Sequence, residues 1–223
     1  MSAAPFSTPM NTKKLILLFT PAFLIAGLFL FIQVIRYEPL FPDQENLPEE
    51  KPIEVIPVFP DDIIIGAKRP TATVIAFEDF SCPACRRQNE LLTELLAKYP
   101  EKIKIVWKGL PVGRFPYSTE LAQKYSYCTA RENEFVKFKQ LAFANADNLS
   151  EATLAEIVKA VGLSPDELAS CVNSPAADSH ISRVKQLAAV LNIQSVPAFF
   201  VNNRQIEAPP SVEAWVDELG LKI

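Results

Sequence analysis

Two cysteines separated by two residues, Cys82 and Cys85 in FSCPAC, are the residues best suited to redox chemistry. A cysteine thiolate attacks a disulfide, and a second thiol one helical turn away can close a disulfide with it. The same spacing forms half of many zinc sites. However, Cys128 and Cys171 stand 43 positions apart, and the single histidine, His180, has no ligand spacing to any cysteine. The sequence therefore favours a redox dithiol and predicts no metal.

The residues around this pair predict the elements that hold it. Residues 73–77 read TVIAF, a short β-branched and apolar run that is typical of a strand buried on both faces. A helical pattern starts at Pro83, where the missing N–H costs nothing, and stops at Pro100. The first turn of a helix stabilises a thiolate and lowers its pKa. We therefore expect Cys82 to be the nucleophile and Cys85 to be the more buried resolving thiol.

A second motif lies far downstream, where residues 195–201 read SVPAFFV and a proline opens an apolar strand. Together with CPAC, this motif resembles the cis-proline loop of thioredoxin-like proteins, and residues 63–221 resemble the DsbA family. The resemblance implies an α/β thioredoxin-like fold with an inserted α-helical domain. It also implies that Val196 and Pro197 lie against the active disulfide, where free backbone groups pair with an extended client segment.

The sequence between the two motifs predicts a strand followed by a long helical stretch. The strand covers residues 104–108. The helices begin or end near Ser, Thr, Asn, Gly or Pro, and they cover 119–130, 134–145, 150–161 and 164–172. The resemblance implies that residues 115–190 form an inserted helical domain that caps the active site. A last helix over 212–219 would complete the thioredoxin layer.

The second pair of cysteines, Cys128 and Cys171, falls on two of these predicted helices. The resemblance implies a structural disulfide, because relatives carry cysteines in equivalent-looking places. Closing a loop of this length would stabilise the fold by roughly 4 kcal/mol in the chain-entropy model. Such a bond suits an oxidising compartment. An electron-relaying pair is the alternative, although neither residue lies in a C-x-x-C at a helix N-terminus.

The sequence departs from the DsbA family at two positions. DsbA has a histidine inside its motif where this chain has Ala84, so the motif does not decide between an oxidant and a reductant. Relatives also tend to place a buried acid six residues before the first cysteine, where this chain has Ala76. Glu78 lies two positions later, on the same strand face. We interpret Glu78 as a candidate proton relay for Cys85, the alternative being a polar residue at the strand end.

The N-terminal part of the chain predicts a membrane anchor and a spacer. Residues 15–35 carry no charge and would form a helix of about 31 Å, long enough for the hydrocarbon core. Two lysines precede this run and acids follow it, so residues 1–14 are expected in the cytoplasm. A cleaved signal peptide is the alternative. Residues 36–62 hold six prolines among acids, which predicts an extended stalk before a domain at 63–223.

The leading interpretation is a single-pass, membrane-anchored thiol-disulfide oxidoreductase that introduces disulfides into exported proteins. Its only redox group would be the Cys82–Cys85 disulfide, without another cofactor. The resemblance implies two kinds of partner, reduced exported clients and a DsbB-like or vitamin-K-epoxide-reductase-like membrane reoxidant. Val196 before the proline matches the oxidase members. A reductase or isomerase and a non-catalytic binding module are the alternatives. A net charge of −4 gives no reason to expect a nucleic-acid partner.

Overall fold

The computed structural model describes residues 12–37, 55–114 and 116–221, which fall into two compact units divided after Pro52. The first unit contains helix α1, Thr12–Tyr37. Among the described residues, no helix has the combination of length and apolar character needed to cross a membrane. The predicted transmembrane anchor over 15–35 is therefore not confirmed.

The second unit is built on a mixed five-stranded sheet. Its strands are β1 Ile63–Gly66, β2 Ala72–Glu78, β3 Ile103–Gly109, β4 Ala198–Val201 and β5 Arg204–Ile206. They lie in the order β1-β3-β2-β4-β5, with β2 and β3 parallel and the other pairs antiparallel. The central strand β2 is buried along almost its whole length, as its apolar sequence predicts. The α/β class expected from the sequence is confirmed.

Seven helices of this unit are described. They are α2 Pro83–Lys98, α3 Glu120–Arg131, α4 Phe135–Ala144, α5 Glu151–Ala160, α6 Pro165–Val172, α7 Pro175–Val190 and α8 Val212–Glu218. Helices α3 to α7 all fall between the two sequence motifs, in the range 115–190. Serines cap α5, α6, α7 and α8 by accepting a hydrogen bond from a first-turn backbone N–H. The helix starts expected at residues 150 and 164 are thus explained.

Alternating side chains of β2 pack into two different cores. Val74 and Ala76 face α2 and α8, whereas Ile75 and Phe77 face α7. The sheet therefore has helices on both faces, and this arrangement explains why the strand reads as a continuous apolar run. The C-terminal end of β2 leads directly into the turn before α2, where the thiol pair lies.

A cluster of aromatic rings joins the helical insertion to the sheet. The Phe80 ring lies 5.6 Å from Trp107, 6.0 Å from Phe138 and 5.1 Å from Phe143, measured between centroids. Trp107 also contacts Phe135 at 5.6 Å. Phe80 and Cys85 belong to the same buried cluster as Phe138 and Phe143, so the insertion packs against the segment that carries the thiol pair.

The last part of the predicted stalk, residues 55–62, belongs to the second unit and packs into its core. Ile56 is only 3% exposed and lies in the core beside α7. Asp62 and Lys108 form an ion pair of 2.5 Å between two fully buried side chains. The Lys108 ammonium also donates to the Pro57 carbonyl at 3.0 Å. The packed region thus begins before residue 63, because Lys108 supplies the counter-charge that Asp62 needs.

Candidate active site

Cys82 and Cys85 lie at the start of α2, as the motif predicts. Cys82 is the N-cap residue and Pro83 occupies the first helical turn. The backbone N–H of Cys85 donates to the Cys82 sulfur at 3.1 Å. Cys82 is partly exposed, Cys85 is completely buried and Ala84 is exposed. Both cysteines are free thiols, so the structure represents the reduced dithiol.

The surroundings of Cys82 favour its thiolate. A hydrogen bond from the Cys85 thiol is the largest cause, and together with the backbone N–H groups of Cys85 and Ala84 it lowers the pKa of Cys82 to about 7. Partial burial and the negative charge of Asp79 oppose this shift. About half of Cys82 is therefore thiolate near neutral pH. The expected nucleophile is accessible and activated.

Cys85 has the opposite character. Burial is the main cause that raises the pKa of the Cys85 thiol, and the hydrogen bond with Cys82 and the charge of Glu78 act in the same direction. A buried thiol of this kind stays protonated until a base removes its proton. The two cysteines thus differ in the way that a nucleophilic and a resolving thiol require.

The loop before β4 brings Val196 to the thiol pair. The Val196–Pro197 peptide bond is cis. The Cys82 thiol donates to the Val196 carbonyl with a sulfur–oxygen distance of 3.5 Å. Val196 and Pro197 are both half-buried, while Ser195 is exposed. This contact joins residues that are 114 positions apart in the chain. The CPAC motif and the SVPAFFV motif therefore form one site.

Glu78 lies at the end of β2, four residues before Cys82. Its side chain is fully buried, and neither carboxyl oxygen has a hydrogen-bond partner among the described residues. Burial raises the pKa of Glu78 to about 8, the charge of Lys139 lowers it in part, and the Cys82 thiolate adds to the increase. The structure thus places a carboxyl group that titrates near neutral pH within electrostatic reach of both thiols.

Two charged residues of the site were missed by the sequence analysis. Lys139 of α4 is 3% exposed, and its ammonium lies 5.2 Å from the centre of the Trp107 ring. Lys139 follows Phe135 by four residues and therefore stands on the apolar face of the helix. This position is the sequence signal that indicates its burial. Asp79 is the second residue, and its buried carboxylate holds the loop beside the site.

The Asp79 carboxylate accepts hydrogen bonds from two parts of the chain. Ser81 donates through its backbone N–H at 2.7 Å and its hydroxyl at 2.6 Å. Val112 N–H and the Thr119 hydroxyl donate at 2.8 and 2.5 Å. A Cβ at Gly113 would approach the Ser81 hydroxyl to 2.3 Å, so this contact requires glycine. Asp79 therefore fixes the turn that positions the first cysteine.

The second pair of cysteines and the histidine lie on helices of the insertion. Cys128 of α3 and Cys171 of α6 are joined by a disulfide with a Cα–Cα distance of 5.9 Å. His180 is buried, with its ring 4.8 Å from Tyr127 and its Nδ1 3.3 Å from Asp61. Burial lowers the pKa of His180. These contacts give His180 a packing role in the helical insertion.

Comparisons with known proteins agree with this geometry. The family described as Thioredoxin matches residues 59–219. A crystal structure of a periplasmic thioredoxin-like protein from Salmonella enterica serovar Typhimurium superimposes with a TM-score of 0.64 and 22% identity. The match covers 74% of this chain and 91% of that one. The likeness at this identity establishes the fold.

Curated relatives share the same region of the chain. A Rickettsia felis protein, provisionally named a protein-disulfide oxidoreductase, is 28% identical over 73% of this chain and 61% of its own length. The Na(+)/H(+) antiporter NhaA 3 of Salinispora tropica is 27% identical over 72% of this chain. The match spans only about a quarter of the antiporter's length, 24%. The family match covers well over half of the present sequence, and the chain therefore belongs to the thioredoxin family, a family of thiol-disulfide oxidoreductases.

Proposed function

We propose that the protein catalyses thiol-disulfide exchange on client proteins through Cys82 and Cys85. The observation that carries the proposal is the contrast between the two thiols. Cys82 is accessible and has a pKa lowered to about 7, whereas Cys85 is buried beneath it and protonated. A non-catalytic binding module with the same fold would not need a thiol of lowered pKa at a helix N-terminus.

In the oxidising direction, a client thiolate attacks the Cys82 sulfur of the protein disulfide. A client–Cys82 disulfide forms, the Cys82–Cys85 bond breaks, and Cys85 leaves as a thiolate that takes up a proton. A second client thiolate then attacks the client sulfur and releases Cys82 as a thiolate. The client loses two electrons and two protons, and the protein gains the dithiol. An extended client segment would pair with the backbone at Val196, which lies next to the Cys82 sulfur.

Glu78 is proposed as the group that exchanges the proton of Cys85. Below pH 8 its carboxyl group is mostly protonated, so it can donate a proton to the departing Cys85 thiolate. In the reverse step its carboxylate accepts the Cys85 proton. Two observations support this role of Glu78. Its charge interacts with both thiols, and its carboxyl oxygens have no hydrogen-bond partner among the described residues.

The direction of electron flow is proposed to be oxidation of exported proteins, with a quinone-linked membrane protein of the DsbB-like or vitamin-K-epoxide-reductase-like type as reoxidant. This proposal rests on the resemblance to the DsbA family and on Val196. The second candidate is a reductase or isomerase, and it is favoured by one observation. The lowered pKa of Cys82, about 7, is closer to that of thioredoxin, also about 7, than to that of the strong oxidant DsbA, about 3.5.

The proposed place of action is outside the cytoplasm. The Cys128–Cys171 bond supports it, since disulfides persist in oxidising compartments, and we propose a structural role for this bond. Attachment to a membrane rests only on the sequence of residues 15–35. Alkaline extraction of cell membranes tests the attachment, because an anchored protein stays in the pellet and recovery in the supernatant would contradict the anchor.

Equilibration of the full chain with glutathione mixtures, followed by alkylation of free thiols, gives the reduction potential that decides the direction. A value near −120 mV, as in DsbA, would identify a strong oxidant, and a value near −270 mV would identify a thioredoxin-like reductant. The Cys128→Ser/Cys171→Ser variant is the matched control, because its potential must be unchanged if only Cys82 and Cys85 exchange electrons with glutathione.

A further inference from the structure

A groove lies between α2 and helix α4 of the insertion. Its volume is about 470 Å³, within the range of sites that bind ligands. Gln88 of α2 faces α8, because its Oε1 accepts a hydrogen bond from the Trp215 indole at 3.0 Å. The next residue, Asn89, lines the groove instead, together with Phe143 of α4. One wall of this α2–α4 groove therefore belongs to the helix that carries the thiol pair, and the other belongs to the insertion.

The Asn89 side chain is buried in the groove without satisfying its hydrogen-bonding groups. Only 5% of the residue is exposed, and its Oδ1 has no hydrogen-bond partner among the described residues. A buried polar group without a partner destabilises a folded protein. A carboxamide accepts and donates hydrogen bonds, and so does the backbone of an extended peptide. The unpaired carboxamide of Asn89 therefore points to a peptide segment as the ligand of the groove.

The α2–α4 groove begins one helical turn after Cys82. Arg86 lines its near end, and Glu90 and Glu94 line it further along the same face of α2. A rise of about 1.5 Å per residue puts Asn89 about 10 Å and Glu94 about 18 Å beyond Cys82 along the helix. An extended chain covers these distances with about three and about five residues. A segment joined to Cys82 by a disulfide is therefore long enough to enter the groove.

The charges along the groove indicate which segment it favours. Glu90 and Glu94 are both exposed. Glu90 lies 3.9 Å from Arg86, and at least half of each side chain is exposed, so this ion pair contributes little. Glu94 has no ion pair within the described part of the chain. The residues of α4 that line the groove carry no charge. The far part of the groove therefore favours a lysine or arginine side chain.

We propose that the α2–α4 groove binds an extended segment of the client while the client is joined to Cys82, with a preference for a lysine or arginine about five residues from the client cysteine. The inference rests on the proposed exchange function and adds a contact on the insertion side of α2, separate from the backbone pairing at Val196. Asn89 exchanges hydrogen bonds with a peptide group of the segment. Glu90 and Glu94 attract its basic side chain.

Peptides that carry an activated cysteine test the groove. Each peptide has lysine, alanine or glutamate at the fifth position on both sides of a single cysteine, which is joined by a disulfide to thionitrobenzoate. In the reduced full-length protein, the Cys82 thiolate attacks the peptide sulfur, a Cys82–peptide disulfide forms, and coloured thionitrobenzoate leaves with the electron pair. The same disulfide made with N-acetylcysteine amide is the reference. Each peptide rate is divided by the reference rate, so that any change in the reactivity of Cys82 cancels.

We expect the lysine peptide to react about three to ten times faster than the glutamate peptide, relative to the reference. Glu90→Gln/Glu94→Gln should remove most of this preference. Glu151→Gln/Glu156→Gln is the matched control, because it removes two exposed acids of α5 that do not line the groove, and it should keep the preference. Asn89→Leu retains the size of the side chain but loses the carboxamide. All three peptides should therefore react about two to ten times more slowly with it, relative to the reference.

The inference fails if the unmodified protein shows no lysine preference, or if the preference survives in Glu90→Gln/Glu94→Gln. It also fails if Glu151→Gln/Glu156→Gln loses the preference equally, or if Asn89→Leu leaves the relative rates unchanged. Circular dichroism verifies that each variant is folded, and Asn89→Ala replaces Asn89→Leu if the latter is not. A reference compound that does not react with Cys82 would instead refute the exchange function itself, so the two failures are distinguishable.

Discussion

Replacing Cys85 with alanine removes the thiol that contributes most to the activation of Cys82. The Cys85 thiol is the largest cause that lowers the pKa of Cys82, ahead of the backbone N–H groups at the helix start. The backbone N–H of residue 85, 3.1 Å from the Cys82 sulfur, remains in the variant. The pKa of Cys82 should therefore rise from about 7 but stay at or below the ordinary value of 9.0.

The size of the effect follows from the energy of a hydrogen bond to a charged group. Such a bond contributes about 1.5 to 3 kcal/mol, which corresponds to about one to two pKa units. At pH 7 the thiolate share of Cys82 would fall from about one half to between about 1/10 and 1/100. A more basic thiolate is also more nucleophilic, so the net loss of rate toward a disulfide is only about two- to sixfold.

Thiolate absorbance in the ultraviolet, titrated against pH, measures this change. Cys82→Ala provides the baseline, since it removes the nucleophile, and Cys85→Ser provides a matched variant whose hydroxyl can still donate to the thiolate. We expect the midpoint to rise most in Cys85→Ala and less in Cys85→Ser. A midpoint that stays near 7 in Cys85→Ala would refute the assignment of the Cys85 thiol as the main stabilising group.

Three further changes test other parts of the account. Asp79→Asn removes a negative charge that raises the pKa of Cys82, so the thiolate midpoint should fall below 7, and an increase would contradict this reasoning. Lys108→Met leaves a buried carboxylate without its counter-charge, and urea unfolding should show a loss of about 3 to 5 kcal/mol. Cys128→Ser/Cys171→Ser should lose about 4 kcal/mol in the same assay but keep disulfide exchange, whereas a loss of exchange in the folded variant would indicate an electron relay.

Local sequence patterns were sufficient to predict the thiol pair and its supports. CPAC after an apolar run predicts a helix N-terminus beyond a buried strand, and the structure confirms both elements. The apolar run after Pro197 predicts β4, and the structure pairs this strand with β2. The position of Val196 beside Cys82, 114 residues away, was instead implied by the resemblance to the DsbA family. The predictions of the strands and the helix succeed because each depends on residues that are neighbours in the chain.

Two buried charged groups that depend on contacts distant in sequence were not predicted. Lys139 stands on the apolar face of α4, but the Trp107 ring that covers it comes from a strand about thirty residues earlier in the chain. Residues 55–62 read as an exposed spacer because they contain acids and prolines, but Asp62 is paired with Lys108, 46 residues away. Buried charges need partners that the chain supplies from elsewhere, and no local pattern indicates which partner is used.

The most direct test of the central claim is the transfer of a disulfide to a client. The oxidised full-length protein is mixed with a reduced, unfolded protein, and the loss of client thiols is measured together with the gain of thiols in Cys82 and Cys85. The account predicts stoichiometric transfer by the unmodified protein and none by Cys82→Ala. In the Cys85→Ser variant, Cys82 is first converted to a mixed disulfide with glutathione. This variant should then accumulate a covalent client complex through Cys82. Clients that keep their thiols in the presence of the oxidised, folded protein, with no such complex in Cys85→Ser, would contradict it.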